Sequence, residues 1–184
     1  SPVVITPQIV PTRIPTLMPQ PTSPSPTAVL EPTLTPEPAR TLKIVSSLPL
    51  LGPSVRGTDP IVKSIQLRLS QVNFQACDGR YSLAYESMDD ASAALENWDP
   101  IVESKNASRA VANPSVIAYI GTYNSSAAKI SIPILNKAGL VMISPANTYA
   151  GLTKPGLGVT NEPDVFYPSG QRTYARVIPT DDIQ

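Results

Sequence analysis

Ala118-Tyr119-Ile120 runs into Gly121-Thr122-Tyr123-Asn124-Ser125-Ser126, and one helix later Val141-Met142-Ile143 runs into Ser144-Pro145-Ala146-Asn147-Thr148. A short apolar run ending in small hydroxyl and amide residues, repeated on either side of a helical stretch, leaves few folds open. Both runs read as buried strands of a parallel sheet, joined by a crossover helix that opens at Ser125. In an open sheet of this kind, ligands sit beyond the carboxyl ends of the strands, where helix N-termini present unpaired N–H groups. Loops of Ser, Thr and Asn with no His, Cys or carboxylate suit holding a small polar molecule, not converting it.

The rest of residues 41–184 follows the same alternation. Leu42 to Val45 is a short buried strand ending at Ser46-Ser47. Thr58-Asp59-Pro60 reads as a helix start, with Ile61, Val62, Ile65, Leu69 and Val72 at helical spacing behind it. Tyr81 to Tyr85 is a second strand, and Asp99-Pro100 a second capped helix start, running through Ile101, Val102, Ala107 and Val111. Val116 to Ile120, Ser125 to Lys137 and Leu140 to Ile143 supply strand, helix and strand. After a Gly/Pro-rich loop from Gly151, a last strand spans Tyr174 to Ile178. The expected fold class is α/β: an open parallel sheet with helices on both faces.

Residues 1–40 differ in kind. Residues 1–38 hold 11 of the 22 prolines and 7 threonines, with no aromatic residue and only Arg13, Glu31 and Glu37 charged. Prolines at positions 7, 11, 15 and 19 fix φ and remove backbone donors too often for helix or sheet. The expectation is a disordered, extended linker close to polyproline II, acting as a stalk ahead of the domain at 41–184. The sequence begins at Ser1 without a signal-like segment, which reads as a processed or trimmed chain. It contains no 18-residue apolar run.

Composition removes several function classes. There is no His, so imidazole chemistry and His ligation are excluded. The 14 basic and 14 acidic residues balance and form no basic stripe, which argues against nucleic-acid binding. No cofactor, catalytic residue or metal ligand is implied, and the chain is not expected to be an enzyme. The single cysteine, Cys77, reads as a partly buried, inert thiol at a helix end. Asp89-Asp90 reads as a solvated loop or helix cap, and Asn124 as a residue facing the ligand cleft.

The stretch Gly121 to Thr148, with Ser144-Pro145-Ala146-Asn147-Thr148 at its end, closely resembles the branched-chain amino-acid (Leu/Ile/Val)-binding proteins of ABC transporters. These have the type I periplasmic-binding-protein fold, and the resemblance extends over roughly Leu42 to Gln184. It implies a two-lobed protein of which this chain carries the first lobe only. It also implies that Ser125, Ala146, Asn147 and Thr148 contact the amino-acid backbone. The middle of that triplet is often small and apolar in the family, so Asn147 is expected to alter ligand preference. The frequent family disulfide has no counterpart, since Asn124 stands where the second cysteine would be.

The implied function is that of an extracytoplasmic solute-binding component of an uptake system. It would take a small amino acid of branched-chain type, or a related amide, and deliver it to an ABC permease in the periplasm or at the cell surface. In the family, bacterial members without an outer membrane are commonly lipoproteins, with the lipid on a Cys just upstream of such a stalk, so residues upstream of the stalk are the place for a membrane anchor. The alternative is the extracellular ligand-sensing domain of a receptor with the same fold. In both, the ligand carboxylate meets Ser125 and the N–H groups opening the third helix, while its ammonium meets the Ala146 carbonyl and the Thr148 hydroxyl.

Overall fold

A computed structural model describes residues 40–184, so the linker expected over residues 1–40 lies, apart from Arg40, outside the described residues. The strands in chain order are β1 (Arg40–Leu48), β2 (Gln75–Ala76), β3 (Tyr81–Asp89), β4 (Ala91–Ser92), β5 (Asn97–Trp98), β6 (Val116–Gly121), β7 (Val141–Ser144) and β8 (Tyr174–Arg176). The helices are α1 (Val55–Gln71), α2 (Pro100–Ala112) and α3 (Ser125–Lys137), with short 3-10 turns at Ala150–Leu152, Asp164–Phe166 and Asp181–Ile183.

Six strands form one sheet in the order β2-β3-β1-β6-β7-β8. All neighbours are parallel except the short β2, which runs antiparallel to β3. β4 and β5 make a separate two-stranded ribbon between β3 and α2. The parallel core is the α/β architecture that the strand–helix alternation predicts.

Side-chain alternation divides the sheet into two faces. Val45, Tyr119, Met142 and Tyr174 lie in register on one face and pack with Ala107 and Ala110 of α2 and with Ala128, Ile132 and Leu135 of α3. The small alanines let both helices lie close to the sheet, while Ile132 and Leu135 fill the space between them. On the other face, Ile44 and Ile120 meet Ile61, Ile65 and Leu69 of α1 along a groove of about 480 Å³ that Pro145 also lines. Beyond α1 this second face is open: Val141 is 40% and Ile143 37% exposed.

Two helix starts separate the readings. Asp99 caps α2 as its sequence predicts: its Oδ1 accepts from the Ile101 N–H at 2.8 Å, with Pro100 in the first turn. α1, in contrast, begins at Val55, three residues before the expected Thr58. Thr58 is buried inside the helix, where its hydroxyl donates to the Pro49 carbonyl at 2.6 Å and so ties the helix to the chain leaving β1. Tertiary anchoring of that hydroxyl displaces the capping role, and Pro60 ends up within the helix.

Two further expectations are corrected. Cys77 is exposed, in the turn between β2 and β3, with φ 53°. Asp90 is fully buried and not solvated, because the β4–β5 ribbon folds over the end of β3 and its backbone is pinned at both ends (Asp90 N–H to the Leu48 carbonyl, Asp99 N–H to the Asp90 carbonyl).

Candidate functional site

The carboxyl ends of β1, β6 and β7 meet at one edge of the molecule, and Gly121 is what allows the approach. A Cβ on Gly121 would lie 2.5 Å from the Ser47 carbonyl oxygen, so the end of β6 stacks directly on β1 only without a side chain. From there the chain turns through Thr122 and Tyr123 into Asn124, the residue before α3.

The first turn of α3 is open to an incoming acceptor. The Asn124 carbonyl accepts from the Ala127 and Ala128 N–H groups at 3.1 and 3.2 Å and from the Thr122 hydroxyl at 2.7 Å. Its side chain makes no capping bond, and its Oδ1 is buried without a partner. Among the described residues, none accepts from the Ser125 or Ser126 N–H. An uncapped helix start carries unpaired donors and the positive end of the helix dipole, the arrangement that attracts a carboxylate.

The second loop is built around Ser144. Its hydroxyl donates to the Thr122 carbonyl at 2.9 Å and accepts from the Ala146 and Asn147 N–H groups at 3.1 and 2.9 Å. That turns the chain sharply after β7 and lays it beside the first loop. Asn147 locks the two together: its buried Nδ2 donates to the carbonyls of Thr122 (3.0 Å) and Tyr123 (3.1 Å), and its Oδ1 accepts from the Tyr174 hydroxyl at 3.0 Å. The Tyr149 N–H reaches Ser125 Oγ at 3.3 Å, completing the junction.

Of the five residues singled out from the sequence, four lie on the two loops that meet here: Asn124, Ser125, Ala146 and Thr148. Ser125 and Thr148 are half-buried, and Asn124 holds an unpartnered oxygen. The Ala146 carbonyl meets no donor among the described residues. Asn147 differs: its amide is directed inward and holds the loops, which leaves only its backbone near the edge.

Sequence reasoning missed Arg176. From β8 its guanidinium donates to the carbonyls of Asn147 (3.1 Å) and Tyr149 (2.8 Å) and to the Thr153 hydroxyl (2.9 Å). With the Asn147 and Tyr149 carbonyls held by the arginine and the Thr148 carbonyl taking the Asp181 N–H at 2.9 Å, the backbone on both sides of Thr148 is fixed. An arginine in a strand next to a polar loop was the available signal. Behind the loop, Glu162 performs a similar service for residues 149–159, accepting from Lys129, the Tyr149 hydroxyl and the Val159 N–H. Its carboxyl is held below the usual range, with those donors overcoming its burial.

No protein-family model matches the chain, and no curated protein matches its sequence. Solved structures do. An ABC transporter substrate-binding protein from Desulfitobacterium hafniense in complex with Leu aligns at 23% identity over 78% of this chain and 36% of its own, with a TM-score of 0.57. A leucine binding protein from Thermotoga maritima aligns at 21% identity over 78% and 34%, with a TM-score of 0.59. A solute binding protein of an ABC transporter from Rhodopseudomonas palustris, in complex with 4-hydroxybenzoate, aligns at 15% identity over 76% and 32%, with a TM-score of 0.58. The chain thus has the type I periplasmic-binding-protein fold and spans about a third of the length of these proteins, which are binding proteins and not enzymes.

Proposed function

We propose that the chain forms one lobe of an extracytoplasmic solute-binding protein that takes a small solute, an α-amino acid of branched-chain type or a related amide. The observation that carries this reading is the pairing of the uncapped start of α3 with the free Ala146 carbonyl and the Thr148 side chain, held side by side through Ser125 and Tyr149. Carboxylate at one end and ammonium at the other match those donors and acceptors in sign. Leucine and 4-hydroxybenzoate, held by two of the structural neighbours, share only the carboxylate. That supports the helix start as the common anchor and leaves side-chain choice to the second lobe.

In this reading Ser125, Asn124, the Ala146 carbonyl and Thr148 touch the ligand, and Asn147 shapes the loop. The second lobe closes over the cleft, and the loaded protein delivers its solute to an ABC permease in the periplasm or at the cell surface. The Pro/Thr-rich segment 1–40 tethers it through an anchor upstream. The test is calorimetric titration of the complete two-lobe protein with leucine, isoleucine, valine, small amides, 4-hydroxybenzoate and sugars. Binding of one of the amino acids or amides is expected. Binding of a sugar alone would remove the amino-acid assignment.

A further inference from the structure

Two carboxyl groups are sealed inside the lobe beside the end of β1, and among the described residues no cation is bonded to either. Glu103, in the first turn of α2, is 0% exposed; its two oxygens accept from the Ser47 hydroxyl at 2.6 Å and the Tyr119 hydroxyl at 2.9 Å. Asp90, just beyond the end of β3, is also 0% exposed, and neither of its oxygens has a hydrogen-bond partner. Asn106 completes the surroundings, donating to Ser47 Oγ at 3.0 Å and to the Asp89 carbonyl at 2.8 Å.

The titratable groups facing this pair are themselves acidic: Asp89 from β3 and Tyr119 from β6. Lys105 of α2 acts on the exposed Asp99 instead, and Arg109 and Lys43 are engaged by Glu86. A buried carboxylate with neither cation nor donor is costly, and the ordinary resolution is to keep its proton. A hard metal ion would need six or more oxygen ligands, and among the described residues no group of three acidic, His or Cys side chains could hold one.

We propose that Asp90 and Glu103 form a buried proton-holding pair. While protonated, it seats the start of α2 against the carboxyl ends of β1 and β3; when its protons leave, that contact loosens. Burial raises both groups, Asp90 to about 8 with added repulsion from Glu103 and Asp89, and Glu103 to about 7 against the pull of its hydroxyl donors. Each pKa lies above that of the same group in an unfolded chain. The unfolded state therefore gives up its proton first. The contribution of the pair to stability is complete in acid, declines as pH rises from the ordinary carboxyl range to about 8, and changes no further beyond it. Each proton held natively lowers the folding equilibrium constant about tenfold per pH unit across that window.

The test is urea denaturation of the protein across that window, with the ¹³C shift of the Asp90 carboxyl followed by NMR. The native protein should lose stability as pH rises, and the Asp90 signal should titrate well above the ordinary carboxyl range. Asp90→Asn should lessen the decline by one proton's worth, and Glu103→Gln, should the first variant not fold, should lessen it in the same way. An unchanged slope in the variants, or an Asp90 carboxyl titrating in the ordinary range, would overturn the proposal. So would Ca²⁺ or Mg²⁺ restoring stability at high pH only when Asp90 is present, since that would make the pair a cation site.

Discussion

The Tyr149 backbone N–H and the Ser125 hydroxyl oxygen lie 3.3 Å apart, and this contact makes one surface of two loops separated by a helix and a strand. Ser125 opens α3, and Tyr149 ends the turn that Ser144 begins. In the proposed reading, a ligand resting there meets helix donors on one side and a loop carbonyl on the other.

Arg176 should matter to that surface because it holds the carbonyls on either side of Thr148. Arg176→Met removes three donors from the Asn147–Thr153 segment. Loss of affinity by about tenfold or more is expected in the two-lobe protein, from a looser Thr148, together with a destabilisation of about 1–3 kcal/mol. Calorimetry and urea denaturation on the same variant check both, and unchanged affinity with lowered stability would confine Arg176 to the scaffold.

Asn147→Leu should be among the most destabilising single changes. It takes the donor from the Tyr123 carbonyl and the acceptor from the Tyr174 hydroxyl, and leaves the Thr122 carbonyl with the Ser144 hydroxyl alone, at about 1–3 kcal/mol in total. Tyr174, whose phenol burial pushes up to about 12, stays neutral and cannot compensate by ionising. Denaturant midpoints for Asn147→Leu and Tyr174→Phe measure this, the second expected to be the milder.

Gly121→Ala should also destabilise, by about 1–3 kcal/mol, because the new methyl meets backbone on β1 and no flexible side chain can yield. A melting temperature equal to that of the parent would show that β6 can retreat from Ser47.

The centre of the parallel core was legible because β6 and β7 are short apolar runs ended by Gly121 and Ser144, and α3 was read to its observed bounds, Ser125 to Lys137. α2 was legible from Asp99-Pro100, where one carboxylate meets two backbone donors locally. The α1 start was not, since Thr58 bonds to Pro49, a partner that only the folded turn supplies. The same reason hides the inward Asn147: its residue type suited a ligand edge, and only the neighbouring Tyr174 and Thr122 turn it inside. Asp90 and Glu103 lie thirteen positions apart on a ribbon and a helix, with no spacing rule linking them.

The sheet face beyond α1 carries a prediction for the lobe by itself. Val141 pairs with Ala118, and Ile143 with Ile120 and Ala175, giving a contiguous apolar strip with Val141 and Ile143 well exposed. Residues 40–184 expressed alone should self-associate, and Val141→Lys with Ile143→Lys should reduce this in sedimentation experiments. A concentration-independent monomer with a sharp, reversible melt would show the strip to be harmless.

The most direct test of the ligand reading compares one solute with and without its carboxylate. In the two-lobe protein, the amino acid that binds tightest in the panel should lose about tenfold to a hundredfold in affinity when its carboxylate is replaced by a carboxamide. That corresponds to about 1.5–3 kcal/mol for a charge-assisted bond at the start of α3. Thr148→Val should weaken the parent amino acid by a similar factor, through its ammonium. Equal affinity for acid and amide, with Ser126→Ala abolishing binding and Thr148→Val leaving it intact, would contradict the assignment of these two loops.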